Sequence, residues 1–166
     1  MRRLPLALLL LLLVAACSGD GTPDSAGTEP PVDVTAPPGG AVVSFGERAI
    51  SAEIADDREE WATGLMFRER MDENAGMIFF FPVRRPGNDG FYMKNTLIPL
   101  SIAYMQMLSS DTYEVVAVRD MGPCPPQTRV CPEFPGGEPY DAALEVNQGW
   151  FAEAGIEVGD IATIRD

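Results

Sequence analysis

The 166-residue chain has no histidine, and of its 12 basic residues only Lys94 is a lysine. Without histidine, Ser-His-Asp and Cys-His nucleophilic arrangements are excluded, together with the commonest zinc sites. The G-x-S-x-G, P-loop and G-x-G-x-x-G motifs are absent as well. These absences exclude conventional hydrolases, kinases and dehydrogenases. We therefore assign no catalytic residue, no metal and no cofactor.

Long apolar runs are also absent, except near the N-terminus. The residues MRR precede an apolar run from Leu4 to Val14, which is too short to span a bilayer, since spanning needs about 20 residues. This pattern predicts a secretory signal over residues 1–16. The run ends in VAAC, which resembles the lipobox of bacterial lipoproteins, so Cys17 is the expected lipidation site. The alternative is an ordinary cleavage site with an incidental cysteine.

The composition divides the rest of the chain into a tether and one domain. Residues 17–40 are rich in Gly, Pro, Ser and Thr and bury too little apolar surface to fold, so a disordered tether is expected. Residues 41–166 have the size of a single domain. Their 21 acidic and 10 basic residues give a net charge of −11, which disfavours nucleic acid as a partner. The predicted location is outside the cytoplasm, anchored to a membrane and facing the periplasm or the cell exterior.

Cysteine is scarce, and besides Cys17 only Cys124 and Cys131 remain. A redox pair usually has C-x-x-C spacing, which this pair lacks. An oxidising compartment favours a structural disulfide. A soft-metal site is the other alternative.

The pattern of apolar residues predicts an α+β fold that is mainly β. Strands are expected on both sides of Gly46-Glu47, over 76–81, from Pro99 onward, and over 113–119, 142–146 and 161–165. A helix capped by Asp57 and a short helix over 149–154 complete the pattern. Residues 82–90 are predicted as a loop. Short connections favour antiparallel pairing, so we expect a compact, antiparallel, barrel-like sheet with one or two short helices.

Four segments resemble the DUF192 (UPF0127) family: REEWATGLMFRERM, AGMIFFF, FYMKNTLIPLSI and ALEVNQGWFAEAGIEVGD. The resemblance covers about 110 residues, from near Ile50 to Ile164, and implies a compact, mostly β domain without an established activity. The chain departs from the usual pattern at two positions. Tyr92 stands where the family often has tryptophan, and Ser101 stands where it often has aspartate.

Within these segments, polar side chains interrupt otherwise apolar sequence at Arg68, Lys94, Asn95, Thr96 and Glu145. Buried polar groups must be paired or must line a pocket. One interpretation is structural, with Glu145 paired to Lys94 or to Arg68. The other is a ligand site in which two cations and two neutral donors bind a small anionic or polyhydroxylated ligand.

Three functional hypotheses follow. The leading one is a non-enzymatic small-ligand-binding or accessory module. The second is an enzyme of unfamiliar type that uses Lys94 and Glu145 for proton transfer. The third is a copper carrier, because thioethers are suitable Cu(I) ligands; it would use the methionines that follow the initiator, which are Met66, Met71, Met77, Met93, Met105, Met107 and Met121.

Overall fold

The structure is a computed structural model that describes residues 34–165. The predicted signal peptide, the lipidation site Cys17 and the tether up to residue 33 lie outside the described residues. Residues 34–40 form an irregular segment before the first strand, and the Ser51 hydroxyl donates to the Thr35 carbonyl at 2.8 Å. Among residues 34–165, no helix is long and apolar enough to cross a membrane.

Nine strands and two helices make up the described part of the chain. In chain order they are β1 Ala41–Phe45, β2 Arg48–Ala55, α1 Arg58–Thr63, β3 Ala75–Arg85, β4 Gly90–Tyr92, β5 Leu100–Met107, β6 Thr112–Met121, β7 Glu133–Pro135, β8 Tyr140–Asn147, α2 Trp150–Ala154 and β9 Ile161–Arg165. Seven strands close a barrel in the order β1-β2-β3-β8-β5-β6-β9, and β4 pairs with β7 as a separate ribbon. The fold is mainly β, as predicted.

One strand pair differs from the predicted antiparallel sheet, because β2 and β3 are parallel. A closed ring of seven strands cannot alternate in direction all the way around, so at least one neighbouring pair must be parallel. Parallel neighbours need a crossover connection rather than a tight turn. The connection over residues 56–74, which contains α1, is this crossover.

The strands bury apolar side chains on two faces. The barrel interior receives residues from all seven strands and is closed by Trp150 and Phe151 of α2. A second cluster covers the opposite face of β3, β5, β6 and β8, where it packs under Leu65 of the crossover and Met93. The sheet is therefore buried on both sides here, which explains the continuous apolar run of β3.

Local signals place several elements correctly. Gly46 has a positive φ of 59° in the two-residue hairpin loop between β1 and β2. Asp57 caps α1 by accepting from the backbone N–H groups of Glu59 and Glu60 at 2.8 and 2.9 Å. Gly155 ends α2 in the left-handed region with a φ of 71°, as expected for a helix C-terminus.

The end of β3 differs from the sequence-based prediction, and the disulfide agrees with it. The loop predicted over 82–90 begins too early, because β3 continues to Arg85. Its pairing with β8 is irregular between Phe80 and Arg85, and a proline such as Pro82 is tolerated in a strand at such an irregularity. Cys124 and Cys131 form the predicted disulfide.

Candidate functional site

Glu145 lies in the middle of β8, between Leu144 and Val146, which point into the barrel. Because side chains alternate along a strand, Glu145 points to the opposite face. Its neighbours across the ladder are Met77 on β3 and Ile102 on β5, both members of the second apolar cluster. The glutamate side chain therefore lies in an apolar layer and is only 5% exposed.

A cavity of about 180 Å³ opens next to this carboxyl group. The crossover, β3, β4, the turn after β4 and β8 contribute its walls. The polar groups that line it include Arg85, Lys94, Thr96 and Glu145. The aromatic residues that line it are Trp61, Phe79, Phe81, Phe91, Tyr92 and Tyr140.

Burial raises the pKa of Glu145 to about 8, because the apolar layer disfavours the charged carboxylate. Burial is also the main cause that raises the pKa values of two neighbouring phenols, Tyr104 and Tyr140, above the ordinary value. These acidic side chains therefore favour their neutral forms, unless a ligand brings a compensating positive charge.

Lys94 lines the same cavity, but its ammonium group forms a hydrogen bond with another part of the chain. Its ammonium donates to the Thr128 carbonyl at 3.0 Å, in the loop that the Cys124–Cys131 disulfide closes. The backbone of Lys94 also bridges to Cys124. The disulfide loop thus holds the only lysine of the chain in place.

The other predicted site residues separate into two groups. Thr96 is 5% exposed and lines the cavity. Asn95 has a positive φ of 59° and turns the chain between Lys94 and Thr96, and its amide contacts the Met66 sulfur at 3.7 Å. Arg68 lies outside the cavity and pairs with Glu53 at 2.5 Å. Lys94, Thr96 and Glu145 are therefore brought together, whereas Asn95 and Arg68 are not part of the lining.

The structural interpretation, in which Glu145 pairs with Lys94 or with Arg68, is wrong. No nitrogen of Lys94 or Arg68 comes within 4.0 Å of the Glu145 carboxyl oxygens in the described structure. Arg68 and Lys94 instead bind Glu53 and the Thr128 carbonyl, which lie 15 and 34 residues away and come together through the tertiary fold, so no local sequence pattern indicates them. Lys94 and Glu145 also do not contact each other as a proton-transfer pair would require.

The two positions that depart from the family pattern have distinct environments. Ser101 is 1% exposed; its hydroxyl donates to Asp120 and accepts from the Gly149 N–H. It therefore links β5, β6 and the start of α2 rather than lining the cavity. Tyr92 is half exposed and lies at the cavity lining.

Sequence reasoning missed the aromatic walls and Arg85. The rings contact one another at centroid distances of 5.0 Å for Phe79–Phe91 and 5.3 Å for Trp61–Phe81. The spacing of Phe79 and Phe81 at alternate positions of a strand was the available signal, since such residues share one face. Arg85 extends the same side, with its guanidinium 5.4 Å from the Phe81 ring centroid.

The methionines mainly fill the two apolar layers. Met105 lies in the barrel interior, and Met77, Met93 and Met121 belong to the second cluster. Met107, which with Gln106 and Met105 forms a Met-x-Met sequence, is 47% exposed. These positions fit the packing role of a flexible apolar side chain.

Among the solved structures that resemble this chain are the following two. A protein of unknown function from Novosphingobium aromaticivorans DSM 12444 has a TM-score of 0.59 and 28% identity, with 76% of this chain and 83% of that one covered. A candidate transcription regulator from Sinorhizobium meliloti 1021 has a TM-score of 0.58 and 25% identity, with coverages of 75% and 90%.

The search of curated proteins returns no match to this chain. The DUF192 family model, described as "Uncharacterized ACR", matches residues 41–164. That range contains the barrel except for Arg165, the last residue of β9, and it contains every residue that lines the cavity. The chain therefore belongs to the DUF192 family.

Proposed function

We propose that this protein is a non-enzymatic small-ligand-binding module that acts outside the cytoplasm, anchored through a lipid on Cys17. The observation that carries the binding function is the cavity, because aromatic walls with a few convergent polar groups are typical of small-molecule sites. The lipobox pattern and the Cys124–Cys131 disulfide support the location.

The size of the cavity limits the ligand to roughly one ring. Its volume of about 180 Å³ is slightly larger than the ~150 Å³ of an engineered cavity that accepts benzene. A monosaccharide, a small polyol or a compact amine would fit within this volume.

The lining favours a polyhydroxylated ligand over an anionic one. Thr96 and Glu145 offer hydrogen-bonding groups, and the rings offer apolar surface. An anion would meet the Glu145 carboxyl inside the cavity and a domain with a net charge of −11 around it.

A thermal-shift screen tests the proposal with a panel of single-ring sugars, polyols, amines and carboxylates. Ala62 is exposed on α1 and lines the cavity, so Ala62→Trp should obstruct it without disturbing the core. Ala152→Trp, on an exposed position of α2, is the matched control. We expect a panel compound to raise the Tm of the wild type and Ala152→Trp by several degrees, but not that of Ala62→Trp. A panel that shifts no Tm, or shifts Ala62→Trp equally, contradicts the proposal.

A further inference from the structure

We infer that the ligand presents a positively charged nitrogen, as a protonated amine or a quaternary ammonium, to the carboxylate of Glu145. This inference rests on the proposed function of the cavity. The proposed function admits sugars, polyols and amines, and the inference selects the amines and related organic cations among them.

The first observation is that Glu145 has no partner. Within residues 34–165 its carboxyl oxygens take part in no ion pair, and burial is the only cause of its pKa shift. No described side-chain nitrogen or oxygen is both sealed from solvent and unpaired. The small accessible area of this 95%-buried residue therefore faces the cavity that it lines. A buried carboxyl group in this position has room for a donor from a ligand.

The second observation is the set of aromatic rings that line the same cavity as that carboxyl group. The π-faces of aromatic rings attract cations, and aromatic cages are the known means of recognising ammonium groups. Trp61, Phe81 and Tyr140 are among the lining rings, and Phe81 lies 5.7 Å from Tyr140 between ring centroids. Rings alone would also suit a neutral ligand. Rings together with an unpaired carboxyl group favour a cation.

The two cations in the lining are engaged elsewhere. Lys94 donates to the Thr128 carbonyl, and Arg85 pairs with Asp89 at 2.8 Å while its guanidinium lies against Phe81. An ammonium has three donors, so Lys94 keeps two that can bind a hydroxyl or carboxylate at the other end of the ligand. Glu145 is left as the acceptor for a positive group.

The charge of the whole domain acts in the same direction. Residues 41–166 carry a net charge of −11, which raises the local concentration of cations and lowers that of anions. Because exposed charges are screened by salt, this contribution should weaken as ionic strength increases.

Binding of a cation should displace a proton. At neutral pH most of Glu145 is protonated in the empty cavity, since burial raises its pKa to about 8. The other titratable side chains in the lining are Arg85, Tyr92, Lys94 and Tyr140. A cation stabilises the carboxylate, so its affinity should increase with pH up to about 8, by up to about tenfold per pH unit.

Choline and its neutral carbon isostere, 3,3-dimethylbutan-1-ol, are the matched probes, titrated calorimetrically into the full chain at pH 8. We expect choline to bind at least tenfold more tightly than the alcohol, and to release about one proton at pH 7. Glu145→Gln should remove both the preference and the proton release. Glu138→Gln, which changes an exposed glutamate, should keep both.

The outcomes separate this inference from the proposed function. Equal binding of the two probes, or a choline preference that survives Glu145→Gln, overturns the inference and leaves the cavity as a ligand site. The same holds if neither probe binds while a neutral panel compound binds at the cavity. If neither probe binds and no panel compound raises the Tm, both the inference and the proposed function are overturned.

Discussion

At the scale of single residues, Glu145 is the most informative side chain in the molecule. Within residues 34–165 it is a carboxyl group inside an apolar layer that forms no ion pair. Its charged form opposes folding, because burial removes it from water, so folding alone gives no reason for its presence. Its position next to a cavity is consistent with the ligand-binding role that we propose.

The pH dependence of stability follows from the same residue. Glu145 has a pKa of about 8 in the native state against 4.5 for the ordinary value, so the native state binds the proton more strongly than the unfolded state. Its contribution to the free energy of unfolding is fully present below pH 4.5 and is lost as the pH rises toward 8. At about 1.4 kcal/mol per pKa unit, the loss is at most about 5 kcal/mol.

Glu145→Gln removes this titration. We expect the variant to gain stability relative to the wild type between pH 5 and pH 8, measured as the free energy of unfolding in urea. Glu138→Gln should follow the wild-type curve. Parallel wild-type and Glu145→Gln curves across this range would show that Glu145 is not protonated in the folded protein.

What the sequence predicts at this scale depends on how local the interaction is. The alternation of Leu144, Glu145 and Val146 was enough to mark Glu145 as unusual, because a strand fixes which face each side chain takes. The interpretation in which Glu145 pairs with Arg68 or Lys94 was wrong, since these cations bind Glu53 and the Thr128 carbonyl, which are reached only through the tertiary fold.

At the scale of elements, the disulfide loop and the turn after β4 form one unit. The Cys124 N–H donates to the Thr96 carbonyl at 3.1 Å, and the Thr96 N–H donates to the Met93 carbonyl at 2.9 Å. Together with the Lys94–Thr128 hydrogen bond, these contacts connect the loop to the cavity wall. The loop therefore supports the side of the site that carries Lys94 and Thr96.

Removing the disulfide should loosen that side. We expect the double variant Cys124→Ser/Cys131→Ser to lose about 2.5 kcal/mol of unfolding free energy, the chain-entropy value for so short a loop. Hydrogen exchange should accelerate over residues 93–96 as well as within the loop. Ala152→Ser is the control, since it changes an exposed position of α2 and leaves the disulfide intact. Unchanged exchange over 93–96 would show that the loop does not support the wall.

Elements were predicted well where their signals are local, such as the Asp57 cap and the left-handed Gly155. The ribbon of β4 and β7 was not predicted, because its strands are three residues long and pair across about 40 residues of chain. The parallel pairing of β2 and β3 was missed for a similar reason, since strand neighbours are decided by barrel closure.

At the scale of the whole molecule, the lipid anchor that we propose on Cys17 would hold the domain at a membrane. We expect Cys17→Ser to move the protein from the membrane fraction to the soluble fraction of its native host, because an acyl anchor stabilises attachment by about 0.8 kcal/mol per buried CH₂. Ser18→Ala should stay with the membrane. A Cys17→Ser protein that still sediments with membranes contradicts the lipobox interpretation.

The odd number of barrel strands has a consequence for how the cavity is walled. Seven strands force one parallel pair, and the chain must then pass over the outside of the barrel to connect it. That passage carries Trp61 and Leu65, which wall the cavity. Part of the cavity wall is thus built on a segment that takes no part in closing the ring, and the rest comes mainly from β3 and β8 of the barrel and from β4. The parity of the strand count and the presence of a cavity at the barrel surface are therefore linked through one connection.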